Sequence, residues 1–140
     1  MIVVIDTNVL LPMLCTAHPF HEILKAWARG EFVMALTTEM LLEYEEIAKP
    51  RIGDRRWQEF LVLLERVAAL RGNLLRVSPT FRFHTIPSDP DDNKFADCAI
   101  AAHGDFVITE DQHFRPLAGA GYKPQPIAPE EFIRRHLGGE

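Results

Sequence analysis

Short apolar runs and longer segments with helical spacing alternate along the chain. The continuous β-branched run Ile2–Ile5 predicts a buried parallel strand. Apolar runs at 32–36, 74–77 and 106–108 predict three more strands, and a short strand is expected near Ile127. The pattern therefore predicts a sheet built from short, mostly buried strands.

Apolar residues at helical spacing fill the segments between these strands. Gly30 and Gly72 mark the ends of two predicted helices, and Pro50 is expected to end a third. Ser88-Asp89-Pro90-Asp91 has the composition of a helix start, with proline and acids in the first turn. The predicted helices span 19–30, 37 or 38 to about 49, about 54–71, about 90–103 and 130–136.

The alternation of strands and helices indicates βαβ units. Such units predict an α/β fold, with a mainly parallel sheet and helices on both faces. The 140 residues match the size of one ordinary domain. We therefore expect a single domain over residues 1–140.

Composition excludes several classes of protein. An apolar fraction of 47% argues against disorder. Cys15 and Cys98 lack the paired spacing of a disulfide framework or zinc site. No run approaches the ~20 apolar residues of a membrane span. The first apolar run is broken by Asp6 and has no basic segment before it, unlike a signal peptide. The expected location is the cytoplasm.

The net charge of −5 argues weakly against a passive nucleic-acid-binding protein, because such proteins usually carry a basic stripe. The same charge is compatible with a metallonuclease. In such an enzyme carboxylates gather at one site, and the bound metal reverses the local sign of the charge.

Four acids are expected to converge at one edge of the sheet. Asp6 follows the first predicted strand and Asp111 follows the fourth, so both lie at carboxyl ends of strands. Glu43 and Asp97 lie in the second turns of helices that begin at that edge. Asn93, four residues before Asp97, shares its helical face.

Carboxylates held this close repel one another, and their pKa values rise. Mg²⁺ or Mn²⁺ would remove that cost, because these ions prefer oxygen ligands and keep waters for a substrate. One or two such ions can activate water and stabilise the leaving oxygen of a phosphodiester.

Each acid taken alone also has an ordinary interpretation. Asp6 could cap a turn, and Glu43 could be a solvated residue of an acidic helix face. Asp91 and Asp92 are typical acids of a helix start. Asp97 is less ordinary because it lies within the apolar run 95–102, where acids are rare unless they are paired or bound to metal.

At these residues the chain resembles the PIN-domain family, most of all its toxin-component branch, the relatives of VapC-like toxins. The matching segments occur in the same order and with similar spacing along almost the whole chain. They are Val4-Ile5-Asp6-Thr7-Asn8-Val9-Leu10, Leu41-Leu42-Glu43-Tyr44, Asp89-Pro90-Asp91-Asp92-Asn93-Lys94-Phe95-Ala96-Asp97-Cys98-Ala99-Ile100-Ala101-Ala102 and Val107-Ile108-Thr109-Glu110-Asp111.

The resemblance implies a three-layer α/β/α fold, RNA as the substrate, Mg²⁺- or Mn²⁺-dependent cleavage and a small cognate antitoxin as partner. In chain order the family's four acids match Asp6, Glu43, Asp97 and Asp111. The matching supporting polar residues are Thr7, Asn8 and Thr109, with Asn93 beside them. Asp92 belongs to an additional acidic cluster of the branch and ranks below the four acids as a metal ligand. Glu110 departs from many relatives, which carry a small or neutral residue there. It either adds a metal ligand or is an exposed neighbour of Asp111, and we favour the second interpretation.

Basic residues elsewhere are candidates for contacts with RNA phosphates. These are Arg51, Arg55, Arg56 and Arg115, for which a solvated basic surface is the ordinary alternative. The apolar stripe from Trp57 to Val67 is typical of a core-facing helix, although it leaves a homodimer contact open.

Two other functions remain as alternatives. A haloacid-dehalogenase-like phosphatase also has an aspartate after its first strand, but it needs a second aspartate two residues later, where this chain has Asn8. A catalytically inactive PIN fold could serve as an RNA- or protein-binding module, although none of the four acids is missing.

The histidines show no base–nucleophile arrangement, so nucleophilic catalysis is not supported.

Overall fold

Five parallel strands form the central sheet in a computed structural model that describes residues 1–78, 93–112, 114, 118 and 124–137. The strand order is β3-β2-β1-β4-β5, and every neighbouring pair is parallel. The strands are β1 (Ile2–Ile5), β2 (Val33–Leu36), β3 (Leu74–Arg76), β4 (Phe106–Ile108) and β5 (Gln125–Ile127).

Six helices lie in the described residues. Thr37 begins α3 by accepting a hydrogen bond from the Met40 amide at 3.0 Å, and Gly72 ends α4 in the left-handed conformation with φ of 65°. The helices are α1 (Thr7–Met13), α2 (His21–Ala28), α3 (Thr38–Ile52), α4 (Asp54–Arg71), α5 (Asn93–Ala101) and α6 (Pro129–His136).

The strand order reverses its direction between β1 and β4. From β1 the chain moves outward to β2 and β3, and it then returns to the other side of β1 to form β4 and β5. Right-handed connections in the two directions place helices on opposite faces of the sheet. The predicted α/β/α fold with a parallel sheet is confirmed. In parallel sheets, ligands bind at the carboxyl edge where the strand order reverses, which here is the edge formed by the ends of β1 and β4.

The core is centred on β1, in which Val3, Val4 and Ile5 are fully buried. This burial explains the uninterrupted β-branched run, because both faces of a central parallel strand are covered by helices. A pair of buried hydrogen bonds links α2 to the chain before β3. The Trp27 indole donates to the backbone carbonyl of Asn73 at 2.9 Å. The side-chain amide of Asn73 donates to the backbone carbonyl of Trp27 at 2.7 Å.

Two helices differ from the sequence prediction. No helix was expected over Thr7–Met13, because Pro12 and the short length of α1 obscure its periodicity. The prediction that Pro50 ends α3 was wrong, since the helix continues through Pro50 to Ile52. Proline removes a single backbone donor, and the turn at Gly53, with φ of 94°, ends the helix instead.

The helix expected from Pro90 to about His103 is described from Asn93, and it ends at Ala101. Its proposed start at residues 88–91 lies outside the described residues. Among the helices that are described, none is both long enough and apolar enough to cross a membrane.

Candidate active site

Asp6 lies at the carboxyl end of β1, directly before α1. Its backbone amide donates to the Ile108 carbonyl at 3.0 Å, and this bond holds it beside the end of β4. Its carbonyl accepts bonds from the amides of Val9 and Leu10 in the first turn of α1. Asp6 is only 3% exposed, so a buried carboxyl group lies at the point where the strand order reverses.

Thr109, the first residue after β4, connects Asp6 to Asp111. The Thr109 hydroxyl donates to Asp6 Oδ2 at 2.6 Å, and the Asp111 amide donates to the same hydroxyl oxygen at 2.9 Å. The Thr109 amide itself donates to the Ile127 carbonyl at 3.0 Å, which fixes this residue to β5. One threonine therefore orients the Asp6 carboxylate and positions the backbone of Asp111.

Glu43 reaches the same edge from the second turn of α3. The Thr7 hydroxyl donates to Glu43 Oε2, and the Lys94 ammonium group pairs with Oε1. Because Thr7 is adjacent to Asp6, the first bond brings Glu43 close to the end of β1. The second bond connects α3 to α5, so three elements meet at this carboxylate.

Tyr44, the residue after Glu43, fixes α3 to the sheet. Its hydroxyl donates to the Ile5 carbonyl, and its side chain is fully buried. Burial, together with the charges of Asp6 and Glu43, holds the pKa of Tyr44 well above its usual range. The neutral hydroxyl is therefore a permanent donor to the last carbonyl of β1.

The electrostatics of the site are those of crowded acids. Burial raises the pKa of Asp6 to about 6, and the hydrogen bond from Thr109 opposes this rise only in part. The nearby charges of Asp111 and Glu43 raise the pKa further. Asp111 and Glu43 therefore lie close enough to Asp6 for their charges to act on its carboxyl group.

Asp97 is placed on α5, a helix that packs against β1, β4 and α3. It is 1% exposed. Burial, and then the charge of Asp97, raises the pKa of the neighbouring Cys98 thiol to about 12. Asp97 follows Lys94 by three residues and so shares its helical face. Since Lys94 pairs with Glu43, that face of α5 is directed toward the acidic edge.

The other candidate residues have different placements. Asn8 and Glu110 are exposed, whereas Thr7 and Thr109 are buried. Asn93 is the first residue of α5. Asp92 lies outside the described residues, and so does Arg115.

The remaining arginine candidates lie where α3 ends and α4 begins. Arg51, Arg55 and Arg56 are all exposed. Arg51 is eight residues beyond Glu43, which is about 12 Å along the helix axis. The structure thus places Arg51 near the end of α3, away from Glu43, and Arg55 and Arg56 in the first turn of α4.

The donor chemistry of the edge suits a hard divalent cation. Within the described ranges, no group of three or more histidine, cysteine, aspartate or glutamate side chains is arranged to hold a metal ion. Mg²⁺ commonly uses only one or two protein carboxylates and completes its shell with water and substrate phosphates. Asp6 and Asp111, joined through Thr109, fit that mode. A cation there would offset both the burial and the neighbouring carboxylate charges that raise the pKa of Asp6.

Sequence reasoning missed the roles of Lys94 and Tyr44. Lys94 and Asp97 are the only charged residues between 93 and 102. A single cation in the same apolar helix as the candidate acid Asp97 could have indicated that Lys94 pairs with an acid of the site. Tyr44 carried no comparable signal, because an aromatic residue in a helix is normally explained by packing.

Comparison with known proteins gives two matches. A family model described as PIN domain matches residues 2–113, which is most of the chain. The crystal structure of VapBC2 from Rickettsia felis, bound to a DNA fragment from their promoter, contains a chain with a similar fold. Its TM-score is 0.58 at 14% identity, and the match covers 91% of this chain and 98% of that one. No curated protein matches this chain.

Proposed function

The chain belongs to the PIN-domain family, and from this premise we propose that it is a metal-dependent endoribonuclease and the toxin of a toxin–antitoxin pair. The observation that carries the proposal is the buried Asp6 carboxylate at the reversal of the strand order. Its pKa is raised to about 6 by burial and by the charges of Asp111 and Glu43. A carboxylate with a perturbed pKa, placed where the strand order of a parallel sheet reverses, is a candidate for a functional site.

Asp6 and Asp111 are the residues that would hold one Mg²⁺ or Mn²⁺ ion, with Glu43 and Asp97 as further ligands of one or two ions and Asp92 as an additional candidate. When bound, the metal supplies Lewis-acid stabilisation of a phosphodiester and lowers the pKa of water. Thr109 holds the Asp6 carboxylate in place, and Thr7 does the same for Glu43. The burial of Asp6 keeps the local dielectric low, which would strengthen the attraction between its carboxylate and a bound cation.

The product ends distinguish this chemistry from that of histidine-dependent ribonucleases. We propose that water activated at this carboxylate-and-metal site attacks the phosphorus and that the bond to the 3′-oxygen breaks, which leaves a 5′-phosphate and a 3′-hydroxyl. Attack by the RNA 2′-hydroxyl would leave a cyclic 2′,3′-phosphate instead. We expect the first outcome when purified protein cleaves end-labelled RNA with Mn²⁺, and no cleavage with EDTA. Cyclic phosphate ends, or equal cleavage in EDTA, would exclude the mechanism.

The toxin assignment adds a protein partner to the RNA substrate. The similar fold in Rickettsia felis occurs in VapBC2, whose structure contains a DNA fragment from its promoter. By analogy, we propose that this chain binds a small cognate antitoxin protein and acts in the cytoplasm.

Growth measurements test the toxin assignment. Expression should slow growth, and Asp6→Asn should relieve the effect, because the loss of a metal ligand removes stabilisation of the transition state. Asp54→Asn, an exposed acid in the first turn of α4, is the matched control and should remain toxic. Equal toxicity of wild type and Asp6→Asn at equal protein levels would contradict a catalytic toxin.

A further inference from the structure

The ion pair between Lys94 and Glu43 joins α5 to α3 at the acidic edge. The two residues are 51 positions apart, and their side chains are only 13% and 24% exposed, respectively. The Lys49–Glu45 pair on α3, by contrast, is an ordinary surface pair with exposures of 39% and 42%. Partial burial makes the Lys94 pair the stronger interaction, because water and salt screen it less.

Both oxygens of Glu43 already have donors in this arrangement. The Thr7 hydroxyl occupies Oε2 and the Lys94 ammonium group occupies Oε1. A cation that approaches Glu43 must therefore displace the ammonium group or accept its repulsion. Lys94 also offsets part of the negative charge that Asp6, Glu43 and Asp111 bring to the edge.

We propose that Lys94 is a built-in competitor of the metal ion for the Glu43 carboxylate. Its ammonium group balances the site while no metal is bound, and it thereby lowers the affinity of the protein for divalent cations. The inference rests on the proposed function, since it concerns the same site. According to this proposal, Lys94 sets the affinity of the protein for metal ions. The sequence of α5 by itself does not reveal that role.

Mn²⁺ titration of the full chain by calorimetry tests the proposal without any RNA. Lys94→Met keeps most of the side-chain volume and removes the charge. We expect it to bind Mn²⁺ about tenfold more tightly than wild type, a change of about 1.4 kcal/mol. The control Lys49→Met removes a charge from an exposed pair and should leave Mn²⁺ affinity unchanged.

A double-mutant cycle separates competition at Glu43 from a general effect of charge. If Lys94 acts by occupying Glu43, Lys94→Met should no longer tighten Mn²⁺ binding when Glu43 is already glutamine. If it acts only through its long-range field, the same gain persists in Glu43→Gln. Persistence of the full gain would overturn the proposal, and so would an unchanged or weaker Mn²⁺ affinity in Lys94→Met.

Circular dichroism in EDTA checks that each variant is folded, and Lys94→Gln replaces Lys94→Met if the apolar side chain prevents folding. Absence of Mn²⁺ binding by both wild type and the folded Lys94 variant would also overturn the inference. The proposed function is judged independently, because RNA cleavage with Mn²⁺ does not require binding to be strong enough for calorimetry. The two failures are thus distinguishable.

Discussion

The two edges of the parallel sheet each carry a buried or half-buried aspartate, and the surroundings of the two aspartates differ. At the amino edge, Asp105 precedes β4, and its Oδ2 accepts a bond from the Ile2 amide at 2.8 Å. Its backbone amide donates to the Ile2 carbonyl at 2.7 Å, and its carbonyl accepts a bond from the Gln125 amide at 3.1 Å. At the carboxyl edge, Asp6 is buried beside other acids, and its pKa is raised to about 6.

The difference shows how one residue type can stabilise one edge of a sheet and destabilise the other. Asp105 satisfies a backbone donor and connects the starts of β1, β4 and β5, so its charge contributes to folding. Asp6 is held where its charge is costly, and a cation would offset that cost. We therefore interpret the amino edge as structural and the carboxyl edge as functional, and the predictions below test this contrast.

The largest expected effect is on catalysis. Asp6→Asn should lower kcat/KM for RNA cleavage about a thousandfold, or about 4 kcal/mol, because a metal ligand and its electrostatic stabilisation of the transition state are lost. Asp105→Asn should cleave RNA at close to the wild-type rate when it is assayed well below its melting temperature. Comparable losses in the two variants would remove the functional distinction between the edges.

A second prediction concerns the pH dependence of stability. The folded-state pKa of Asp6, about 6, lies above the ordinary aspartate value of about 3.9, so the folded protein holds this proton more tightly than the unfolded chain. The contribution of Asp6 to the free energy of unfolding is therefore fully present below about pH 4. It decreases as the pH rises from about 4 to about 6, and it is absent at higher pH.

Asp6→Asn removes the ionisation, while its amide oxygen can still accept the Thr109 hydroxyl. In EDTA at pH 7 it should therefore be more stable than wild type by up to about 3 kcal/mol, and the advantage should vanish near pH 4. Urea unfolding at both pH values measures the difference. A variant that is less stable than wild type at pH 7 would show that the charge of Asp6 does not destabilise the folded protein.

The opposite sign is expected at the amino edge. Asp105→Ala leaves the Ile2 amide without its side-chain acceptor and should lower the free energy of unfolding by about 2 kcal/mol at pH 7. The same urea experiment measures this loss. A neutral or stabilising Asp105→Ala would mean that this carboxylate does not hold the starts of the strands together.

The smallest effect should come from the residue that supports the carboxyl edge from α3. Tyr44→Phe loses only the hydroxyl bond to the Ile5 carbonyl and should cost about 1 kcal/mol. Because that bond positions the end of β1 beside Asp6, RNA cleavage should fall slightly as well. Thermal melts and initial rates of the same preparation check both effects, and a change in neither would show that the hydroxyl contributes only packing.

Much of the fold could be predicted because hydrophobic periodicity reports burial directly. Three of the four residues of β1 are buried, and so are Trp57, Phe60, Leu64 and Val67 of the stripe along α4. The prediction failed where backbone chemistry competes with the pattern. Pro12 obscured the helical pattern of α1. Pro50 was expected to end α3, although the helix ends at the turn formed by Gly53.

The acids of the candidate site could be predicted from strand ends and helix starts, because topology alone brings those positions to one edge. The residues that hydrogen-bond at this edge from other elements could not be predicted in this way. The contacts of Lys94 with Glu43 and of Tyr44 with Ile5 join residues 51 and 39 positions apart, and such contacts depend on helix rotation and packing rather than on spacing. Asp92 and Arg115 remain sequence-based predictions.

Metal-dependent stability tests the central claim, that the carboxyl edge binds a divalent cation through Asp6. Thermal melts compare wild type, Asp6→Asn and Asp105→Asn in EDTA and in Mn²⁺. At free Mn²⁺ of about 100 times Kd, wild type and Asp105→Asn should each gain about 2.7 kcal/mol, or several degrees in Tm, while Asp6→Asn gains much less. An Asp6→Asn protein that gains as much from Mn²⁺ as wild type would contradict the account.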